Sequence, residues 1–104
     1  MTDRERGGPD ADATSALAQL RRDIEAIDRR LVELLAERLD IGRRTGEIKR
    51  EAGRPILDAA REAEVIRRAV TAARELGVPQ EETREIFWHI VGMSRRAQEG
   101  GDVQ

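Results

Sequence analysis

The feature that most constrains this chain is a stripe of apolar residues that keeps a helical beat over much of its first half. Leu17, Leu20, Ile24, Ile27, Leu31 and Leu34 follow one another at steps of three and four, and Ile41 and Ile48 prolong the stripe. Such spacing returns each residue to the same face of an α-helix. No glycine or proline falls within it before Gly42, so the pattern predicts one helix from an N-cap at Thr14 or Ser15 to about Glu51. That helix would be about 55 Å long at ~1.5 Å per residue, whereas a compact domain of ~100 residues has a radius of gyration of about 13 Å. The remainder of a 104-residue chain is too small to cover it. The seam is expected to be buried against a second copy, in an intertwined helical homodimer.

Gly53-Arg54-Pro55 ends the first helix. Asp58 then reads as the N-cap of a second, with Val65, Ile66, Ala69, Val70 and Ala73 facing inward. Leu76-Gly77-Val78-Pro79 is a stop followed by a restart, and a third helix runs from about Pro79 to Gln98 with Ile86, Phe87, Ile90 and Val91 on its apolar face. The fold class is all-α, three helices per subunit. Residues 1–13, polar and containing Gly7, Gly8 and Pro9, read as a disordered leader, residues 14–99 as one helical domain, and residues 100–104 as a flexible tail.

Charged residues make up 38% of the chain, yet acids and bases alternate to a net charge of −2, so no basic surface for nucleic acid is expected. The absence of cysteine excludes disulfides and thiolate metal sites. No apolar run approaches a membrane span and no signal-peptide core follows Met1, which points to the cytoplasm and to no membrane partner. There is no Ser/His/Asp grouping, glycine-rich phosphate loop or metal-ligand cluster, and no cofactor is expected. His89 and Trp88, each the only residue of its kind, read as packing or surface residues.

The informative positions are polar residues where the pattern wants apolar ones. Arg38 lies on the continuation of the seam, and Gly42, Thr45 and Lys49 follow it at steps of four, three and four, on one helix face. Two cations thus flank two small residues on a face turning inward, and buried cations require anions. Two readings fit: an anionic ligand occupies the gap left by the small residues, or Arg38 pairs with a carboxylate of the protein or extends to solvent. On the third helix Phe87, Val91, Ser94 and Gln98 share a face, so two hydrogen-bonding residues follow two apolar ones. They line the same pocket, or the stripe simply fades toward the helix end. Asp58-Ala59-Ala60-Arg61-Glu62 suffices as an ordinary helix start.

Taken in order, Leu20-Arg21, Leu34-Leu35-Ala36-Glu37-Arg38, Gly46-Glu47-Ile48-Lys49, Pro55 with Asp58, Arg61 and Glu62, and Ile86-Phe87 with Ser94 and Gln98 resemble the helical chorismate mutase family. The likeness is greatest to the mutase domain that begins bacterial prephenate-synthesising bifunctional enzymes. It covers about residues 17–98, without a gap from Arg21 to Glu62. The only lysine, Lys49, falls on the family's lysine position, and Ser94, one of two serines, on its serine position.

The resemblance implies two wrapped chains with two active sites, no cofactor, and a small dianionic substrate. Arg38 and Lys49 would hold its carboxylates, with Lys49 and Gln98 at the ether oxygen. Asp58 and Glu62 would receive the ring hydroxyl with Arg61 close by, and Ser94 would contact the ring carboxylate. Arg38, Lys49, Glu62 and Gln98 are the implied catalytic residues, and Arg21 would serve the other subunit's site. Spacing agrees on that point: Arg21 and Lys49 are 28 residues apart, or about 42 Å along a helix, too far to grip one small ligand within a chain. Ala59, Ala60 and Gly42 are smaller than the residues usual there, and the domain is expected to stand alone, with no dehydratase or dehydrogenase region attached. These departures leave the reaction type standing and the exact substrate open. The alternatives are a 4-amino-4-deoxychorismate mutase, then an isochorismate-pyruvate lyase, and last a non-catalytic helical dimerisation module.

Overall fold

The computed structural model describes residues 3–100, with side chains from Gly8 onward. All regular structure among them is helical: α1 (Asp3–Glu51), α2 (Ala59–Leu76) and α3 (Gln80–Gln98). Two compact units are present, Met1–Leu34 and Leu35–Gln104. None of the described helices is long and apolar enough to cross a membrane.

The first unit is the N-terminal part of α1. The helix starts before the cap expected at Thr14 or Ser15. Its backbone breaks at Gly8 (φ 62°, ψ 173°) and is regular from Pro9 onward. Proline suits the first turn of a helix, where its missing N–H costs nothing, and Asp10 and Asp12 complement the positive end of the helix dipole. The Thr14 hydroxyl donates to the Asp10 carbonyl at 2.8 Å, inside the helix rather than at its cap. Residues 9–13, assigned to the leader from sequence, are therefore helical. Residues 101–104 of the expected tail lie outside the described residues. The seam itself is bare: Leu17, Leu20, Ile24, Ile27, Leu31 and Leu34 are each at least half exposed.

In the second unit, α2 and α3 pack as a helical hairpin. Asp58 caps α2 by accepting the Arg61 backbone N–H at 3.0 Å. Gly77 ends α2 in the left-handed region (φ 74°), where glycine is unstrained, and the Val78 N–H closes the turn on Ala73. Pro79 stands at the N-cap of α3, so the helix begins at Gln80, one residue after the expected start. The buried apolar side chains are Ile66, Ala73, Val91 and Ala97, joined by the polar Thr83 and Ser94. Val65, Ala69, Val70, Phe87 and Ile90 are half-buried, so the expected inward faces of α2 and α3 hold except at Ile86, which is exposed. The buried stripe of α3 runs Thr83, Phe87, Val91, Ser94, Ala97, and Ile86 falls on its edge.

The C-terminal part of α1 meets α3 through glycines. Gly42 and Gly46 are both buried. A Cβ at Gly42 would lie 3.4 Å from the Ser94 carbonyl oxygen and 3.6 Å from the Ala97 Cβ, ordinary contact distances. One at Gly46 would overlap the Gln98 carbonyl oxygen and come within 2.6 Å of the Gln98 Cα. The two helix backbones touch at Gly46, and this brings Gln98 beside Lys49.

Candidate active site

A cavity of about 380 Å³ opens within the second unit, in the range of small-molecule sites. One wall is the α1 face carrying Arg38, Gly42, Thr45 and Lys49. The opposite wall is α3, through Val91, Ser94 and Gln98, and the first turns of α2 close it with Asp58, Arg61, Glu62 and Val65. Gly42 and Thr45 supply the space between the two cations.

Both cations bond to neutral acceptors. Arg38 donates to the Ser94 hydroxyl, and among the described residues no carboxylate lies within ion-pair distance of it. Burial, and then repulsion from Arg61, pull its guanidinium below its ordinary pKa, the mark of a cation lacking compensation. Lys49 Nζ donates to the Ile56 carbonyl at 2.9 Å and to Gln98 Oε1 at 2.7 Å. The loop returns Ile56 to this position after a left-handed turn at Gly53 (φ 68°). Engaging Oε1 leaves the Gln98 amide N–H groups free to donate. Arg50 holds the Gln98 carbonyl from outside, so the end of α3 is tied to α1 at backbone and side chain.

The acids are differently placed. Asp58 is exposed and spends one oxygen on the α2 cap. Glu62 receives a fork from Arg95, Nε to Oε2 at 2.8 Å and a terminal nitrogen to Oε1 at 2.6 Å. This hydrogen bonding, aided by the charges of Arg95 and Lys49 and opposed by burial and Asp58, holds the Glu62 carboxyl below the usual range, so it is ionised at neutral pH. Arg61 is exposed and lies 3.7 Å from Glu64. Arg38 and Lys49 on α1 thus face Asp58, Arg61 and Glu62 at the start of α2, with Glu62 already balanced by Arg95. The enclosure carries surplus positive charge and is suited to a small molecule with more than one negative group.

Residues 20–99 match the family model described as chorismate mutase type II. The chain belongs to the type II chorismate mutase family. It is 37% identical over 78 residues to a bifunctional chorismate mutase/prephenate dehydratase of Aquifex aeolicus, and 33% identical over 75 residues to a T-protein of Enterobacter agglomerans. Each match covers 72% of this chain but only 22% and 20% of those relatives. The chain therefore spans about a fifth of their length. A chorismate mutase of Methanocaldococcus jannaschii is 30% identical over 82 residues, which cover 79% of this chain and 83% of that protein.

Of the residues that the sequence singled out for a chorismate mutase, Arg38, Lys49, Asp58, Arg61, Glu62, Ser94 and Gln98 line this one cavity. Arg21 lies in the first unit, exposed, and does not. Phe87, expected on the same face of α3, is half-buried away from the lining. Sequence reasoning missed Arg95, Arg50 and the steric role of Gly46. The last had a signal, since Gly42 and Gly46 stand one helical turn apart on the face that carries Lys49. The contact of Arg95 with Glu62 joins residues 33 apart and had none.

Proposed function

We propose that residues 14–99 form a cytoplasmic chorismate mutase unit that rearranges chorismate to prephenate as a homodimer, with one site built largely by each chain. The observation that carries this reading is the pair of cations, Arg38 and Lys49, facing one cavity with only neutral hydrogen-bond partners among the described residues.

The reaction is an intramolecular pericyclic rearrangement: one carbon–oxygen bond breaks as one carbon–carbon bond forms. No external nucleophile has to be supplied. The protein has to select the compact conformer that brings the reacting carbons together, and to stabilise negative charge growing on the ether oxygen. Arg38 and Lys49 clamp the carboxylates, the planar guanidinium matching a carboxylate's two oxygens. Ser94, held by Arg38, is positioned for the ring carboxylate. Gln98, its Oε1 engaged by Lys49, turns its N–H toward the ether oxygen, and Asp58 and Glu62 accept the ring hydroxyl. Purified protein should convert chorismate to prephenate, measured by loss of chorismate absorbance. A folded protein with no turnover on chorismate would count decisively against the assignment.

Replacing Gln98 by glutamate tests the donor. One carboxylate oxygen would still accept from Lys49, and the other can donate only when protonated. The adjacent ammonium favours the ionised form and so lowers the pKa of the new acid. Gln98→Glu is therefore expected to lose activity near neutrality and to regain it as pH falls toward and below about 4 to 5. A pH–rate profile parallel to that of the native protein would remove Gln98 from the ether oxygen.

The bare seam of α1 supports the homodimer, and Arg21 is assigned to the partner's cavity. Complementation checks both. Arg21→Ala and Lys49→Ala should each be nearly inactive. Unfolded and refolded together in equal amounts, they should recover about a quarter of the native rate, since half of the dimers would be hybrids with one intact site. No recovery, or a monomer in sedimentation, would refute the shared site.

A further inference from the structure

One acid of the cavity wall has its charge answered from outside the cavity. Glu62 lines the cavity, whereas Arg95, on the α3 turn that also carries Ser94, does not. Its guanidinium reaches across to α2 and engages both Glu62 oxygens, at 2.6 and 2.8 Å. Side-chain exposure is 20% for Glu62 and 34% for Arg95, so the pair is partly withdrawn from water. A planar fork on a carboxylate takes one lone pair of each oxygen and leaves the others. Glu62 therefore still accepts hydrogen bonds while its charge is already compensated.

The distinction matters for the group a substrate ring presents there. A neutral hydroxyl needs only an acceptor, and the spare lone pairs serve it. A primary ammonium also needs net negative charge to replace its hydration. Beside the Glu62–Arg95 pair it would meet a net charge of zero, with Arg38, Lys49 and Arg61 on the same cavity. Asp58, exposed and bonded to the α2 backbone, is the one lining acid without a guanidinium fork among the described residues. We propose that Arg95 is a specificity-determining residue: by pairing with Glu62 it makes the cavity select a ring hydroxyl over a ring ammonium. The proposal rests on the chorismate mutase reading and refines it.

The test compares chorismate with 4-amino-4-deoxychorismate, which differ at that ring substituent. The native protein should have the higher kcat/KM on chorismate. In Arg95→Gln the Glu62 charge is released, and the ratio of kcat/KM for chorismate to that for the amino compound should fall by about tenfold or more. Arg95→Lys restores a cation and should return the ratio toward the native value. Because both substrates are measured on one preparation, loss of folded protein cancels from the ratio. A ratio unchanged in Arg95→Gln, or one moved toward chorismate, would overturn the role of Arg95 while leaving the mutase reading intact. Native protein inactive on both compounds would overturn the two together.

Discussion

Replacement of Lys49 by alanine is expected to lower kcat/KM on chorismate by about a thousandfold, the scale seen when a preorganised donor to a developing oxyanion is lost. Three functions would go at once. In the proposed mechanism the ammonium is a carboxylate clamp and a charge beside the ether oxygen, and in the structure it is the hydrogen-bond donor at 2.7 Å that fixes the Gln98 carboxamide. Without it Gln98 could turn its oxygen toward the reacting atoms, and a lone pair aimed at growing negative charge opposes the reaction. Lys49 is half-buried and, among the described residues, its ammonium bonds to Ile56 and Gln98 alone, so helix content by circular dichroism should survive. A folded variant within tenfold of native activity would show that the cavity is not the reaction site.

The second large effect is expected at a residue without a side chain. Gly46→Ala places a methyl group on the Gln98 carbonyl oxygen and 2.6 Å from its Cα. These are backbone atoms, unable to swing aside as a side-chain tip would, so the end of α3 must retreat. Overpacking of this kind costs about 1 to 3 kcal/mol of stability. Displacing a catalytic group by about 1 Å costs about a hundredfold in rate. Gly46→Ala should accordingly lose about two orders of magnitude in kcat/KM and melt at a lower temperature. Gly42→Ala is the internal control for packing: its Cβ would meet Ser94 and Ala97 at 3.4 and 3.6 Å, and melting should stay near native. Equal effects at the two glycines would refute the close-approach argument.

These residues show what could be read from the chain before it was folded. The alternation that placed Arg38, Gly42, Thr45 and Lys49 on one face depends only on helix geometry, and all four line the cavity. The same holds for Val91, Ser94 and Gln98, and for the stop at Gly77. What stayed hidden depends on how helices are turned against each other. The fork from Arg95 to Glu62 requires a particular rotation of α3 on α2, and no single-helix pattern encodes it. The early start of α1 was missed for another reason. Gly7, Gly8 and Pro9 within a polar stretch read as disorder, whereas proline after a glycine with positive φ opens a helix as readily as it closes one. Ile86 was assigned inward because apolar stripes have soft edges, and only packing decides which edge residue is covered.

The leucines and isoleucines left open along α1 bear on the life of a newly made chain. Until another surface covers that strip, it offers a greasy ribbon to whatever it meets first, including misassembled copies of itself. If the proposed homodimer forms, synthesis ends with an encounter rather than with the last peptide bond, and the supply of its own kind sets how long the vulnerable interval lasts.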